Sequence, residues 1–173
     1  THVFRGEEHI TKTPKQIMVY EAFGWEIPTF GHMTIIVNEN KKKLSKRDTN
    51  TIQFIGEYHK MGYLPEAMLN FLSLLGWSPS GENEILSHDE LVRLFDEHKL
   101  SAAPSYFDKQ KLAFINSKYL KNLSMEQFKD LTRPFLVEAG IEIPNEVWFE
   151  NLLSVLKDRL SYGQEIVKYY KEF

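Results

Sequence analysis

The chain has 173 residues, enough for one ordinary domain or two small ones. A formal charge of -3 argues against a surface built wholly to grip nucleic acid, and the absence of cysteine excludes disulfides and thiolate metal sites. A hydrophobic fraction of 42%, no apolar run of membrane-span length and no signal-peptide pattern point to a folded, cytoplasmic globular protein.

Thr1 to Phe4 alternates and is rich in β-formers, so it reads as a short strand. The pattern is already in full stride at Thr1, with no capping turn, which suggests an excised piece of a longer chain. Arg5, Gly6, Glu7 and Glu8 follow at the carboxyl end of that strand, where ligands gather in open α/β sheets. The acidic and basic groups there read either as a surface ion-pair cluster or as a guanidinium fork waiting for a carboxylate. His9 reads equally as a helix-start residue or a ligand.

Thr13 is expected to cap a helix with Pro14 at its first position, an apolar face through Ile17, Met18, Tyr20 and Phe23, and Gly24 at its end. Trp25 to Thr29 reads as a loop, and Met33 to Val37 as one buried strand. Asn38, Glu39 and Asn40 mark a turn.

A basic loop follows: Lys41, Lys42, Lys43, Leu44, Ser45, Lys46, Arg47. It leaves a strand and leads into the helix-capping residues Asp48 to Thr51. Charge alone favours a solvated turn. Ammonium groups at a strand exit can also follow a polyphosphate as its charge moves.

Beyond Thr51 the periodicity is helical almost throughout. Ile52 to Tyr58 and Pro65 to Leu75 are two segments, closed by Gly62 and Gly76. Ser87 to Glu90 fits a capping box before Leu91. Asp108 caps a helix expected to bury Leu112, Phe114 and Ile115. Ser124 to Gln127 caps another that ends near Gly140, and Asn145 opens one through Leu156. Ser161 to Phe173 forms a last, frayed helix. There is no internal repeat and no low-complexity tract.

The order Lys43-Leu44-Ser45-Lys46-Arg47 resembles the KMSKS signature of class I aminoacyl-tRNA synthetases, in the form typical of bacterial-type glutamyl-tRNA synthetases. Thr1-His2-Val3-Phe4-Arg5-Gly6-Glu7-Glu8-His9 is similar to that family's T-H-V-I-R-G-E-D-H stretch. Thr13-Pro14-Lys15-Gln16, Phe23-Gly24-Trp25, Gly62-Tyr63-Leu64-Pro65-Glu66-Ala67 and Leu75-Gly76-Trp77-Ser78-Pro79 also match. The resemblance covers nearly the whole chain and is clearest from Thr1 to Pro79. Glu8 stands where many relatives have Asp, which alters fine geometry by one methylene.

The resemblance implies a mainly α fold: a helical stem-contact body with a small α/β remnant of a Rossmann-type catalytic domain at the N-terminus. It divides the chain into residues 1–50, the last part of the catalytic domain; 51–123, a helical stem-contact domain; and 124–173, the start of a helical anticodon-binding region. It implies a glutamate–tRNA ligase that takes ATP with Mg2+, L-glutamate and tRNA(Glu), acts as a monomer without a membrane, and carries no zinc in this stretch. Arg5 would hold the substrate's side-chain carboxylate. Lys43, Ser45 and Lys46 would be catalytic, and Lys46, Glu8, Leu44 and Arg47 would line the ATP site. The family's His-x-Gly-His turn is missing, since Gly31-His32-Met33 lacks its spacing, so the isolated chain is expected to be inactive. Other readings are a glutaminyl-tRNA synthetase fragment, a tRNA-modifying paralogue and a non-catalytic tRNA-binding module.

Overall fold

The computed structural model describes residues 1–44, 52 and 54–172. Strand β1, His2–Gly6, runs parallel to β2, Thr29–Met33, with Arg5 opposite His32. A 3-10 helix, Glu7–Lys12, and helix α1, Thr13–Phe23, make the crossover between them. Parallel strands need such a crossover because a tight hairpin turn cannot reverse the chain twice. Gly24 ends α1 with φ 66, the left-handed conformation that glycine adopts without a Cβ penalty.

Three expectations change here. Thr13 is the first residue of α1 and not its cap; its hydroxyl serves the polar cluster described below. The strand expected from Met33 to Val37 is two strands. β2 stops at Met33, and β3, Ile36–Val37, pairs in parallel with a distant strand, β4, Ser105–Tyr106. Ser105 N–H donates to Ile35 O at 3.0 Å and so draws the chain from one sheet to the other. Thr29, expected in a loop, begins β2.

The remainder is helical: α2 (Ile55–Lys60), α3 (Pro65–Ser73), α4 (His88–Leu94), α5 (Lys109–Asn122), α6 (Met125–Glu138), α7 (Glu146–Leu156) and α8 (Glu165–Glu172). The molecule is thus mainly helical with a small parallel component. Four expected caps form: Ser87 with Glu90 and Ser124 with Gln127 are full capping boxes, and Asp108 and Asn145 accept from the first turns of α5 and α7. The segment expected from Ile52 becomes helical only at Ile55, and the capping residues Asp48 to Thr51 lie outside the described residues.

One core gathers Tyr58, Tyr63, Ala67, Met68, Phe71, Leu112 and Ile115, where α3 meets α5. A second gathers Leu120, Phe128, Leu136, Phe149, Leu153, Leu156, Leu160 and Ile166 from the last four helices and their connections. Phe114 does not join them; it is 54% exposed because the buried stripe of α5 runs through Leu112, Ile115, Asn116 and Leu120. Its ring lies under Lys118 Nζ, 4.9 Å from the centroid.

The two cores meet at a close backbone joint. Gly163 N–H donates to Gly62 O at 3.1 Å, and Gln164 N–H donates to Met61 O at 3.0 Å. Buried Asn116 accepts from Leu64 N–H at 2.8 Å and donates to Ser161 O at 2.6 Å. Tyr63 and Tyr162 stack 4.9 Å apart. By contrast α1 buries little besides Thr13, and its Met18, Val19 and Phe23 are exposed.

Candidate active site

The carboxyl ends of β1 and β2 deliver Arg5 and His32 side by side, because parallel pairing puts them in register. Helix α1 then rises past them with Thr13 and Gln16 three residues apart, on one face. Arg5 Nη1 donates to Gln16 Oε1 at 2.6 Å, and Nη2 donates to Thr13 Oγ1 at 2.6 Å. The Arg5 Cζ lies 4.9 Å from the centroid of the Phe30 ring. Arg5 Nε is buried and has no hydrogen-bond partner among the described residues.

Thr13 Oγ1 also lies 3.0 Å from His9 O and 2.9 Å from His32 Nε2. A hydroxyl has one proton to give. Arg5 donates to it and His9 O can only accept, so Thr13 donates to His9 O. All three contacts are satisfied when His32 carries its proton on Nε2 and donates as well.

Glu8 stands just beyond β1. Its Oε1 lies 3.7 Å from Lys43 Nζ, with both side chains largely open to water. The backbone N–H of Glu8, and next the charge of Lys43, hold its carboxyl below the usual carboxylate range. An open pair of this kind contributes little stability. A side chain at Gly6 would run into the Glu8 carboxylate, so glycine leaves that group its seat over the strand end.

Lys43 reaches Glu8 because the basic loop begins as a fold-back. Asn38 N–H donates to Lys42 O at 2.8 Å, and Lys41 N–H donates to Asn38 O at 2.9 Å. Asn38 Oδ1 accepts from the N–H groups of Asn40 and Lys42, each at 3.0 Å. Lys41 takes φ 57 at the tip. The return leg puts Lys43 against Val37 in an antiparallel bridge, and Leu44 N–H donates to Ile36 O at 3.0 Å. Leu44 faces a cavity of about 440 Å³ shared with Asn38, Tyr106, Phe107 and Gln110.

Of the residues expected from sequence, Glu8 and Lys43 are brought together. Arg5 forms no ion pair with a described carboxylate, and hydroxyl and amide groups hold it instead. Ser45, Lys46 and Arg47 lie outside the described residues. Sequence alone does not mark Thr13, Gln16 and His32 as site residues. The Thr13-Pro14-Lys15-Gln16 stretch carried the signal for the first two; parallel register with Arg5 carried it for His32.

The profile of the family described as tRNA synthetases class I (E and Q), catalytic domain, matches residues 1–114. The chain belongs to this family. It is 77% identical over 173 residues to the glutamate--tRNA ligase of Acholeplasma laidlawii (strain PG-8A), covering all of this chain and 38% of that enzyme. With the glutamate--tRNA ligase of Bacillus subtilis (strain 168) it shares 51% over 173 residues, 97% of this chain and 36% of that enzyme. The solved glutamate-tRNA synthetase of Elizabethkingia anophelis superposes with a TM-score of 0.89 at 33% identity, over 99% of this chain and 38% of that one. The glutamate tRNA ligase of Elizabethkingia meningosepticum, solved in complex with its amino acid, superposes at 0.86. This class I synthetase chain therefore spans little more than a third of the length of the relatives it matches.

Proposed function

We propose that these residues form part of a glutamate–tRNA ligase, which couples ATP to the joining of glutamate and tRNA(Glu). The observation that carries this is the meeting of Glu8 and Lys43 at the mouth of the β1–β2 pair, in a chain whose whole length aligns with 38% of a glutamate--tRNA ligase at 77% identity.

In the first step an α-carboxylate oxygen of glutamate attacks the α-phosphorus of ATP, and the bond to the departing pyrophosphate breaks. In the second, a hydroxyl of the terminal adenosine of the tRNA attacks the activated carbonyl and AMP leaves. Arg5 holds the amino acid's side-chain carboxylate through its free N–H groups. Glu8 lies at the ATP site, with Leu44 and Arg47 beside the nucleotide. Lys43, Ser45 and Lys46 meet the negative charge that moves onto pyrophosphate. A preorganised donor of this kind lowers such a barrier by about 3 kcal/mol. No three His, Asp or Glu side chains converge among the described residues. Mg2+ would enter with ATP, held mostly by phosphate and water oxygens, and would offset phosphate charge there.

In this reading residues 51–123 rest on the acceptor stem as the stem-contact domain, and 124–173 begin the anticodon-binding region. The working protein is a cytoplasmic monomer. The test is pyrophosphate exchange. With ATP and tRNA(Glu) present, a full-length protein containing these residues should exchange with glutamate and not with glutamine, and the 173-residue chain, folded by circular dichroism, should stay at background. Exchange that ignores glutamate would overturn the reading.

A further inference from the structure

Among the described residues at the strand ends, Arg5 is a cation whose guanidinium is fastened by uncharged groups. Gln16 and Thr13 take one N–H from each terminal nitrogen, and the Phe30 face covers its plane. A guanidinium has five N–H donors, so Nε–H and one on each terminal nitrogen are not used by these two contacts. Thr13 is itself 9% exposed and is locked from two more sides, by His9 O and by His32 Nε2. Its methyl and hydroxyl therefore cannot turn without breaking other bonds. The chain from His32 through Thr13 to Arg5 spans both strands and the helix that joins them.

We infer that Thr13, backed by His32 and assisted by Gln16, is a positioning residue that aims Arg5 at the side-chain carboxylate of the amino acid substrate. This rests on the proposed function, since it deepens the role given there to Arg5. Neither Thr13 nor His32 needs to touch the substrate. An arginine side chain loses rotamer freedom when it binds, and fastening it in advance removes that cost from the binding step. A cation held against neutral acceptors also keeps its charge for the ligand, which an ion pair with a neighbouring carboxylate would cancel.

The experiment uses the full-length enzyme and steady-state pyrophosphate exchange with ATP and tRNA(Glu) present. Thr13→Val keeps the shape and removes the acceptor. It should raise KM for glutamate about tenfold or more, while kcat and KM for ATP stay within about twofold. Thr13→Ser restores the hydroxyl and should bring KM for glutamate back to within about threefold of wild type. Gln16→Leu, on the exposed side of Arg5, tests the same arrangement at a site where misfolding is not at issue; it should raise KM for glutamate alone. An unchanged KM for glutamate in folded Gln16→Leu and Thr13→Val overturns the inference, as does equal damage from Thr13→Ser and Thr13→Val. If Arg5→Ala raises KM for glutamate and these variants do not, the proposed function stands and the positioning role falls. If the wild-type enzyme shows no glutamate-dependent exchange, both fall.

Discussion

At the scale of single residues, the proposed function asks charges to work at different moments. Lys43 is fixed by a backbone bridge to Val37, whereas the proposal for Lys46 rests on its place in Lys43-Leu44-Ser45-Lys46-Arg47. An interaction made only in the transition state alters turnover and leaves ground-state binding nearly intact. Lys46→Ala in the full-length enzyme should thus cut kcat for adenylation by roughly a hundredfold or more, with KM for ATP and glutamate moving far less. A small, equal change in all three constants would return the loop to a solvated basic turn. Glu8, Lys43 and Arg5 stand out in sequence through the likeness of Thr1–His9 and Lys43–Arg47 to the family's motifs, since charge alone favours a surface ion-pair cluster and a solvated turn. Sequence hid Thr13, because threonine before proline is also a good helix start; only the position of Arg5 across the crossover shows that the hydroxyl is spent on the guanidinium.

At the scale of elements, local signals did well wherever the backbone itself demanded a residue type. The capping boxes at Ser87 and Ser124 and the glycine stop at Gly24 are all where spacing put them. Ser124→Ala removes the acceptor for Gln127 N–H and should destabilise the folded chain by about 1 kcal/mol, read by urea denaturation. An unchanged midpoint would mean that water replaces the cap at no cost. Strands were harder to read. β3 and β4 are two residues each, too short for alternation to show, and their pairing is set by a partner far along the chain. Phe114 misled for a related reason: helical spacing marks a stripe, yet only packing decides which edge of the stripe stays wet.

At the scale of the whole molecule, the two helical cores are joined through the Gly62–Gly163 contact. Gly62 has φ +83, and a Cβ there would lie 2.8 Å from Gly163 Cα. Gly140 has φ +70 and open space around it. Gly140→Ala should therefore cost only the backbone term, about 1 kcal/mol, and Gly62→Ala distinctly more. Thermal unfolding of both variants separates the terms; equal losses would show that the joint can loosen freely. The likeness of the helical body to known synthetases was legible from motifs. The joint was not, since glycine in a sequence announces a turn and does not say what backbone passes beside it.

The β3–β4 pair has a consequence for the order of events during synthesis. Ile36–Val37 carries the return leg of the basic loop, and its partner Ser105–Tyr106 lies beyond three whole helices in the chain. A ribosome releases the lysines long before it releases the strand that braces their base. The cationic loop thus spends its first seconds without its final support, and gains it only when the helices that follow have been made.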